Sequence, residues 1–300
     1  MVLRTRRQPL DASDRVIPGP APESRWPFTN TGVQQQLETW FAQRGIDAST
    51  PGLHDTPAFL RAEAHDPKAM NRLARLVEAR SYSQTELQQA ERKILIAAEA
   101  VAGRVARDGR PGLCVVASSV LSRLLDELGV WNFTAKSNLT IHFPSSVSAE
   151  SHHFYAVDVG AFEAPHAIVV APPFTVIDMT VKHQKYDNDA IVQWLPAMAI
   201  TKEFLPYRIP VDELISPERR AIMRRSGIPP ARYLANEGSD MMELMHQLPS
   251  RQIQIDGGFL AYGIAGIGGY QEPLRAIHEN AHIDGLTPFE IFERDVAPKL

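Results

Sequence analysis

The chain contains very little cysteine: Cys114 is the single one in 300 residues. One cysteine excludes an intramolecular disulfide and fits a reducing compartment. The sequence also lacks an apolar run of membrane-spanning length, and the basic residues after Met1 are not followed by the apolar stretch of a signal peptide. We therefore expect a cytoplasmic protein without a membrane partner, although export by a route that needs no signal peptide would leave the same pattern.

Neither sign of charge dominates the chain. Lysine and arginine together number 31 against 35 acidic residues, which gives a net charge of −4 and no reason to expect a nucleic-acid partner. The composition, 44% hydrophobic and 22% charged, is typical of a globular protein that buries a sizeable core. The length allows one elaborated domain or two, and the sequence does not indicate an oligomeric state.

The residues around Cys114 predict a helix that begins at the cysteine. Pro111 and Gly112 interrupt any preceding element, and Gly129 lies where a helix would end. Between them, apolar residues recur at steps of three and four: Cys114, Ala117, Leu121, Leu124, Leu125 and Leu128. The free N–H groups and the positive dipole end at a helix start favour a thiolate over a thiol. A nucleophilic cysteine needs such an environment.

Short segments rich in β-branched and aromatic residues follow this helix, and they predict antiparallel strands. They are residues 138–143, 154–159, 166–171 and 174–178. His166 shares one face of its strand with Ile168 and Val170, and Asp178 shares one face of the next with Val176. If these two strands pair, His166 and Asp178 lie side by side.

Cys114, His166 and Asp178 together have the residue types of a catalytic triad. A thiol that attacks an amide or ester needs a base for its proton and later an acid for the leaving group, and histidine suits both roles. A carboxylate on the far ring nitrogen fixes the tautomer and stabilises the imidazolium. The other histidines of the strand region, His142, His152 and His153, are alternatives to His166.

The ordered set resembles the transglutaminase-like branch of the papain-like cysteine enzymes over about residues 90–200. The resemblance is carried by Gly112-Leu-Cys114, by His166-Ala-Ile-Val-Val 52 residues later, and by Val176-Ile-Asp178-Met-Thr a further 12 residues on. It implies Cys114 as nucleophile, His166 as general base and acid, and Asp178 as orienting carboxylate.

Three positions depart from that family's pattern. Val115 and Ile168 stand where an aromatic residue is frequent, and Asp108 stands where papain-type enzymes carry a glutamine that donates to the oxyanion. An oxyanion hole would therefore depend on the backbone N–H of Cys114 and on a second donor that the sequence does not identify.

The C-terminal part contains a rival motif, His278-Glu279-Asn280-Ala281-His282, which has the zinc-protease form His-Glu-x-x-His. On a helix both histidines would face one way, with Glu279 activating a metal-bound water. Pro288 stands where a third histidine ligand would be, and the carboxylates that remain downstream are Glu290, Glu293 and Asp295. We therefore expect no metal at this motif.

The rest of the chain is assigned by its periodicity. Alternating residues 251–256 predict a strand that completes the sheet. The glycine-rich stretch after them, 257–269, matches no nucleotide-binding fingerprint, and it predicts a tight turn and close backbone packing. The predicted organisation is an extended N-terminal arm, a helical region, a catalytic core and a C-terminal helical extension, at 1–30, 31–82, 83–210 and 211–300.

The sequence as a whole predicts an α+β protein in which an antiparallel sheet packs on the nucleophile-bearing helix, the papain-like arrangement, with extra helices at both ends. The predicted function is cofactor-free thiol chemistry on a protein, peptide or small amide substrate, as peptidase, glutamine deamidase or acyl transferase. The alternatives are a zinc peptidase and a catalytically inactive binding domain of the same fold.

Overall fold

The computed structural model describes residues 26–159, 165–186, 188–278 and 280–300. It confirms the α+β class: one antiparallel sheet of eight strands is flanked by helices. Within the described residues, no helix combines the length and apolar character needed to cross a membrane. Most of the predicted arm, residues 1–25, lies outside the described part, and Trp26 is already buried in the core, so the arm does not extend to residue 30.

Among the described residues, five α-helices precede the sheet in the sequence: α1 Thr31–Ala42, α2 Pro57–His65, α3 Ala69–Ala79, α4 Gln84–Asp108 and α5 Cys114–Glu127. The sequence Ser83-Gln-Thr-Glu86 has the form of a capping box, and the structure forms it at the start of α4: the Ser83 hydroxyl accepts from the Glu86 N–H and the Glu86 carboxylate accepts from the Ser83 N–H. Left-handed Gly109 ends α4, and α5 begins five residues later at the cysteine.

The strands are β1 Phe133–His142, β2 His152–Phe154, β3 His166–Ala171, β4 Phe174–Asp178, β5 Ala199–Thr201, β6 Leu205–Pro206, β7 Arg251–Ile255 and β8 Gly258–Gly268. Their order across the sheet is β5-β4-β3-β1-β8-β7-β6, and β2 pairs with β1 beyond the end of β3. Strands β3 and β4 have the predicted bounds. They are antiparallel neighbours, as the position of His166 and Asp178 requires.

The glycine-rich segment corrects the sequence-based prediction. Residues 258–268 are not a turn but β8, one of the two long central strands of the sheet. The predicted close packing is present, since a Cβ on Gly263 would overlap Oδ1 of Asn138 on β1. The tight turn is confined to Gly257, which has a positive φ and joins β7 to β8.

The second half of the chain contributes helices α6 Asp189–Trp194, α7 Val211–Leu214, α8 Pro217–Arg225, α9 Pro230–Ala235, α10 Ser239–Gln247 and α11 Pro288–Ile291, the last followed by a π-helical turn. Within the predicted helical extension, residues 217–247 form three short helices, α8, α9 and α10. They lie between β6 and β7 in the sequence.

Apolar side chains on α4 and α5 pack against one side of the sheet at Val169 and Ile177. A second cluster joins the N-terminal helices α1–α3 to the residues of opposite parity, such as Ile168 and Val176. Alternate residues of these strands point to opposite faces of the sheet, and both faces are buried. This explains why β3 and β4 are continuous apolar runs. His166 and Asp178 stand at the ends of those two runs.

Candidate active site

Cys114 is the first residue of α5, as the sequence predicted. Gly112, with φ of 79°, turns the chain into the helix, and Leu113 at the cap position offers no side-chain acceptor to the first-turn N–H groups. Those N–H groups have no partner within a helix. The cysteine side is therefore the positive end of the dipole, and a negative charge on sulfur is stabilised there.

The predicted contact between His166 and Asp178 is present. Nε2 of His166 lies 2.7 Å from Oδ2 of Asp178, and both side chains are completely buried. Two buried groups of this kind are tolerated only when they satisfy each other. The orientation of the imidazole is therefore fixed by the carboxylate.

Three further hydrogen bonds hold the carboxylate of Asp178. Its Oδ1 accepts from the backbone N–H of Thr180 at 2.9 Å and from the Thr180 hydroxyl at 3.2 Å. The phenol of Tyr262, on β8, donates to Oδ2 at 3.0 Å, so Tyr262 and His166 share one oxygen. Burial and the neighbouring Asp178 raise the pKa of Tyr262 well above its ordinary value, which keeps the phenol protonated and able to donate.

The electrostatics of the site favour a charged imidazole. Burial alone would lower the pKa of His166, but the negative charge of Asp178 and the hydrogen bond to it outweigh burial, and the Cys114 thiol adds to the rise; the pKa reaches about 10. Burial likewise acts to raise the pKa of Asp178, and His166 with its other donors reverses this, so that the carboxyl titrates below its ordinary range. At neutral pH the pair is an imidazolium and a carboxylate.

The Cys114 thiol is a second neighbour of the imidazole. Cys114 is close enough to His166 to act on its pKa through hydrogen bonding and charge, while Nε2 is occupied by Asp178. Nδ1 is buried and makes no hydrogen bond of ordinary geometry, so the contact with sulfur is loose. Such contacts in free enzymes often tighten only when substrate is bound.

Aromatic side chains enclose the pair. The ring of Phe154, on β2, lies 5.8 Å from that of His166, and Tyr262 lies 6.2 Å from it on the sheet. Tyr186 packs edge-on against Phe154 and donates its hydroxyl to the Val181 carbonyl. Together these rings exclude water, and Cys114 retains only 5% of its exposure.

The alternative histidines lie in other surroundings. His142 contacts Tyr207 and Ser151, and His153 contacts Thr140. His152 packs its ring against Phe154 and Tyr186. The histidine beside both the thiol and a buried carboxylate is His166, so the geometry favours it as the base.

The zinc motif does not have the helix that it needs. His278 and His282 lie in an irregular segment in which Asn280 has a positive φ of 55°, and Glu279 falls outside the described residues. Two histidines four positions apart face one way only on a helix. Among the described residues, no group of three or more potential metal ligands of the His, Cys, Asp or Glu type comes together, at this motif or elsewhere.

Two positioning residues were not predicted from the sequence. Tyr262 was missed because its glycine-rich surroundings were assigned to a turn, although the continuous apolar run 259–265 is also consistent with a buried strand. Thr180 was given no role of its own. Its N–H and its hydroxyl hold the carboxylate of Asp178.

No family model matches the chain, and neither the curated proteins nor the solved structures contain a significant match. Its function is therefore inferred from the geometry of the site.

Proposed function

We propose that the protein is a cysteine-dependent enzyme acting on an amide or ester carbonyl. The observation that carries the proposal is the 2.7 Å contact of His166 with Asp178, made by a histidine that neighbours a cysteine at a helix start. The order of cysteine helix, histidine strand and aspartate strand supports a papain-like core of the transglutaminase-like type. In this proposal Cys114 is the nucleophile, His166 the acid and base, and Asp178 the orienting group.

The first half-reaction forms a thioester. The Cys114 thiolate attacks the carbonyl carbon, and the carbonyl π-electrons move to oxygen to give a tetrahedral oxyanion. As the carbonyl re-forms, the bond to the leaving nitrogen or oxygen breaks and His166 gives that atom its proton. Asp178 stabilises the imidazolium before the transfer and orients the neutral ring after it.

The second half-reaction releases the acyl group. Water or an amine gives a proton to neutral His166 while its oxygen or nitrogen attacks the thioester carbon. The tetrahedral adduct then expels the thiolate, which returns the thiolate–imidazolium pair. Attack by water gives hydrolysis or deamidation, and attack by an amine gives acyl transfer.

The burial of the site favours a second candidate, a binding domain of the same fold without activity. His166 and Asp178 are completely buried and Cys114 almost so, which an inactive relative would tolerate and an enzyme must overcome by admitting substrate. This candidate predicts a thiol that does not react with acyl donors.

Acylation by a small activated ester separates the two candidates. Wild-type protein mixed with p-nitrophenyl acetate should release one rapid equivalent of p-nitrophenolate and carry an acetyl group on the peptide that contains Cys114. Cys114→Ala should lose the adduct, and His166→Ala should slow its formation by a large factor. Wild-type protein that forms no adduct at Cys114 would support the inactive binding domain.

A further inference from the structure

We propose that the hydroxyl of Ser137 is the second oxyanion donor of the site, a role that rests on the proposed acyl chemistry. The sequence left this donor unidentified, because Asp108 occupies the position of the glutamine that papain-type enzymes use. A donor must point toward the reacting carbonyl and must be free to bond it. In the described structure the Ser137 hydroxyl is free, and its place in the sheet is beside His166.

Ser137 is adjacent to the catalytic histidine in the sheet. It lies on β1 directly opposite His166 on β3. Side chains of such antiparallel partners project to the same face, with Cβ atoms about 5 Å apart. The hydroxyl is therefore one side chain away from the imidazole that the Cys114 thiol contacts.

The hydroxyl has no partner in the free protein. Ser137 is completely buried, and its Oγ makes no hydrogen bond. A buried polar group without a partner is unfavourable and calls for an explanation, because nearly all such groups in proteins are bonded. Nδ1 of His166 is buried too, and its contact with the Cys114 thiol is loose. The free hydroxyl of Ser137 thus belongs to the sheet partner of the histidine that the thiol contacts.

The backbone is irregular at this position. The register between β1 and β8 shifts between Lys136 and Ser137, so that Ala265 is an extra residue on β8. Bulges of this kind re-aim side chains and occur frequently beside active sites. An oxyanion that forms at the Cys114 thioester carbon would accept from the Ser137 hydroxyl on one side and from the Cys114 N–H on the other.

Asn138 is the neighbouring candidate and gives the matched control. Its carboxamide is also buried without a partner. It projects to the opposite side of β1, where Ile209 and Met245 crowd the same space above Gly263. It is therefore separated by the sheet from the face that carries His166.

The experiment compares two reactions of the same thiol. Alkylation by iodoacetamide needs the thiolate but forms no oxyanion. Acylation by p-nitrophenyl acetate needs the thiolate and also passes through an oxyanion that the site must stabilise. Ser137→Ala should slow acylation about 100-fold and leave alkylation unchanged. Ser137→Thr, which keeps a hydroxyl, should recover part of the acylation rate. Asn138→Ala should not change the ratio of the two rates.

Stability gives an independent readout. Since the hydroxyl has no partner in the free protein, Ser137→Ala should fold and should have a melting temperature no lower than that of wild type. An unchanged acylation rate in Ser137→Ala, in a protein whose wild type is acylated at Cys114, would overturn the inference and leave the proposed function intact. A loss of acylation in Asn138→Ala but not in Ser137→Ala would also overturn the inference, as would a lower melting temperature of Ser137→Ala. Wild type that is not acylated at all contradicts the proposed function instead.

Discussion

Four donors converge on a single carboxylate in the interior of the protein. Asp178 accepts from the imidazole of His166, the phenol of Tyr262, and the N–H and hydroxyl of Thr180. A buried carboxylate with this many donors is stabilised in its charged form, and its charge is what keeps His166 protonated. In the proposed mechanism, the residues of this network therefore act through the protonation state of one imidazole.

Removing the phenol hydroxyl tests that network. Tyr262→Phe should lower the pKa of His166, because a poorly held carboxylate stabilises the imidazolium less, and should lower stability by about 1–3 kcal/mol. The pKa is measured by the imidazole signals in NMR and the stability by urea unfolding. Tyr186→Phe removes a hydroxyl that donates to the Val181 carbonyl instead, and should leave the histidine titration unchanged. An unchanged titration in Tyr262→Phe would exclude its positioning role.

The pH dependence of stability follows from the same pair. The pKa of His166 is raised to about 10 in the folded state. Its contribution to the free energy of unfolding is therefore complete below its unfolded-state pKa of about 6.5 and is lost as pH rises toward 10. The pKa of Asp178 is lowered in the folded state, so its contribution is present above its unfolded-state pKa of about 3.9 and is lost as pH falls further. The difference in unfolding free energy between wild type and His166→Gln should therefore be largest between these two unfolded values and shrink above neutrality. A difference that grows from pH 7 to pH 10 would contradict the assigned charge state.

At the scale of elements, the site depends on how α5 is started. Two glycines with positive φ, Gly109 and Gly112, lie between the end of α4 and Cys114, and a Cβ on either would meet no atom within 4 Å. Substitution at these positions therefore acts through the backbone alone. Substitutions at these two glycines therefore test the helix start without adding a side-chain contact.

Gly112→Ala and Gly109→Ala should each cost about 1 kcal/mol of stability, since both residues have left-handed conformations. Gly112→Ala should also slow alkylation of Cys114, because it shifts the first turn that holds the thiol. Gly109 ends α4 and is farther from the thiol, so Gly109→Ala should leave the alkylation rate unchanged. Urea unfolding and alkylation kinetics check both variants, and equal alkylation rates in the two would show that the helix start does not position the thiol.

Prediction from the sequence succeeded where one periodicity dominates. The α4 capping box, the start of α5, and the bounds of β3 and β4 were all predicted, because turn residues and apolar patterning agree there. It failed for β8, where glycines that allow close strand approach were interpreted as a turn. It also failed for Tyr262 as a donor to Asp178, since a hydrogen bond between residues 84 positions apart leaves no local signal.

The motif His278–His282 shows why a short sequence match alone is weak. A short pattern matched a known site, but the backbone around Asn280 is not helical and no metal-ligand cluster is formed among the described residues. Local matches of this length carry little information without the element that the chemistry needs.

At the scale of the whole molecule, one buried ion pair joins the N-terminal helices to the sheet. Arg251 on β7 donates to Glu78 of α3 at 2.8 Å and to the Thr175 carbonyl of β4, and both charged side chains are inaccessible. Trp26 donates to the backbone carbonyl of Glu78. The helices that cover the second face of the sheet are thus connected to the strand that carries Asp178.

Glu78→Gln should destabilise the protein by about 3–5 kcal/mol, because it leaves the guanidinium buried without a counter-charge. Glu243, which pairs with Lys68 on the surface, provides the control: Glu243→Gln should be close to wild type in urea unfolding. A small effect of Glu78→Gln would show that Arg251 is compensated by its carbonyl partners alone.

The reactivity of Cys114 is the most direct test of whether this cysteine is a nucleophile activated by His166. Wild-type protein and His166→Ala are alkylated with iodoacetamide across a range of pH, with glutathione as a reference thiol. We predict that wild-type Cys114 reacts faster than glutathione at pH 7, and that His166→Ala slows the reaction because the stabilising imidazolium is gone. The activation of Cys114 by His166 would be contradicted if the wild-type thiol reacts only above about pH 8.5, like an unperturbed cysteine, and if His166→Ala does not change its rate.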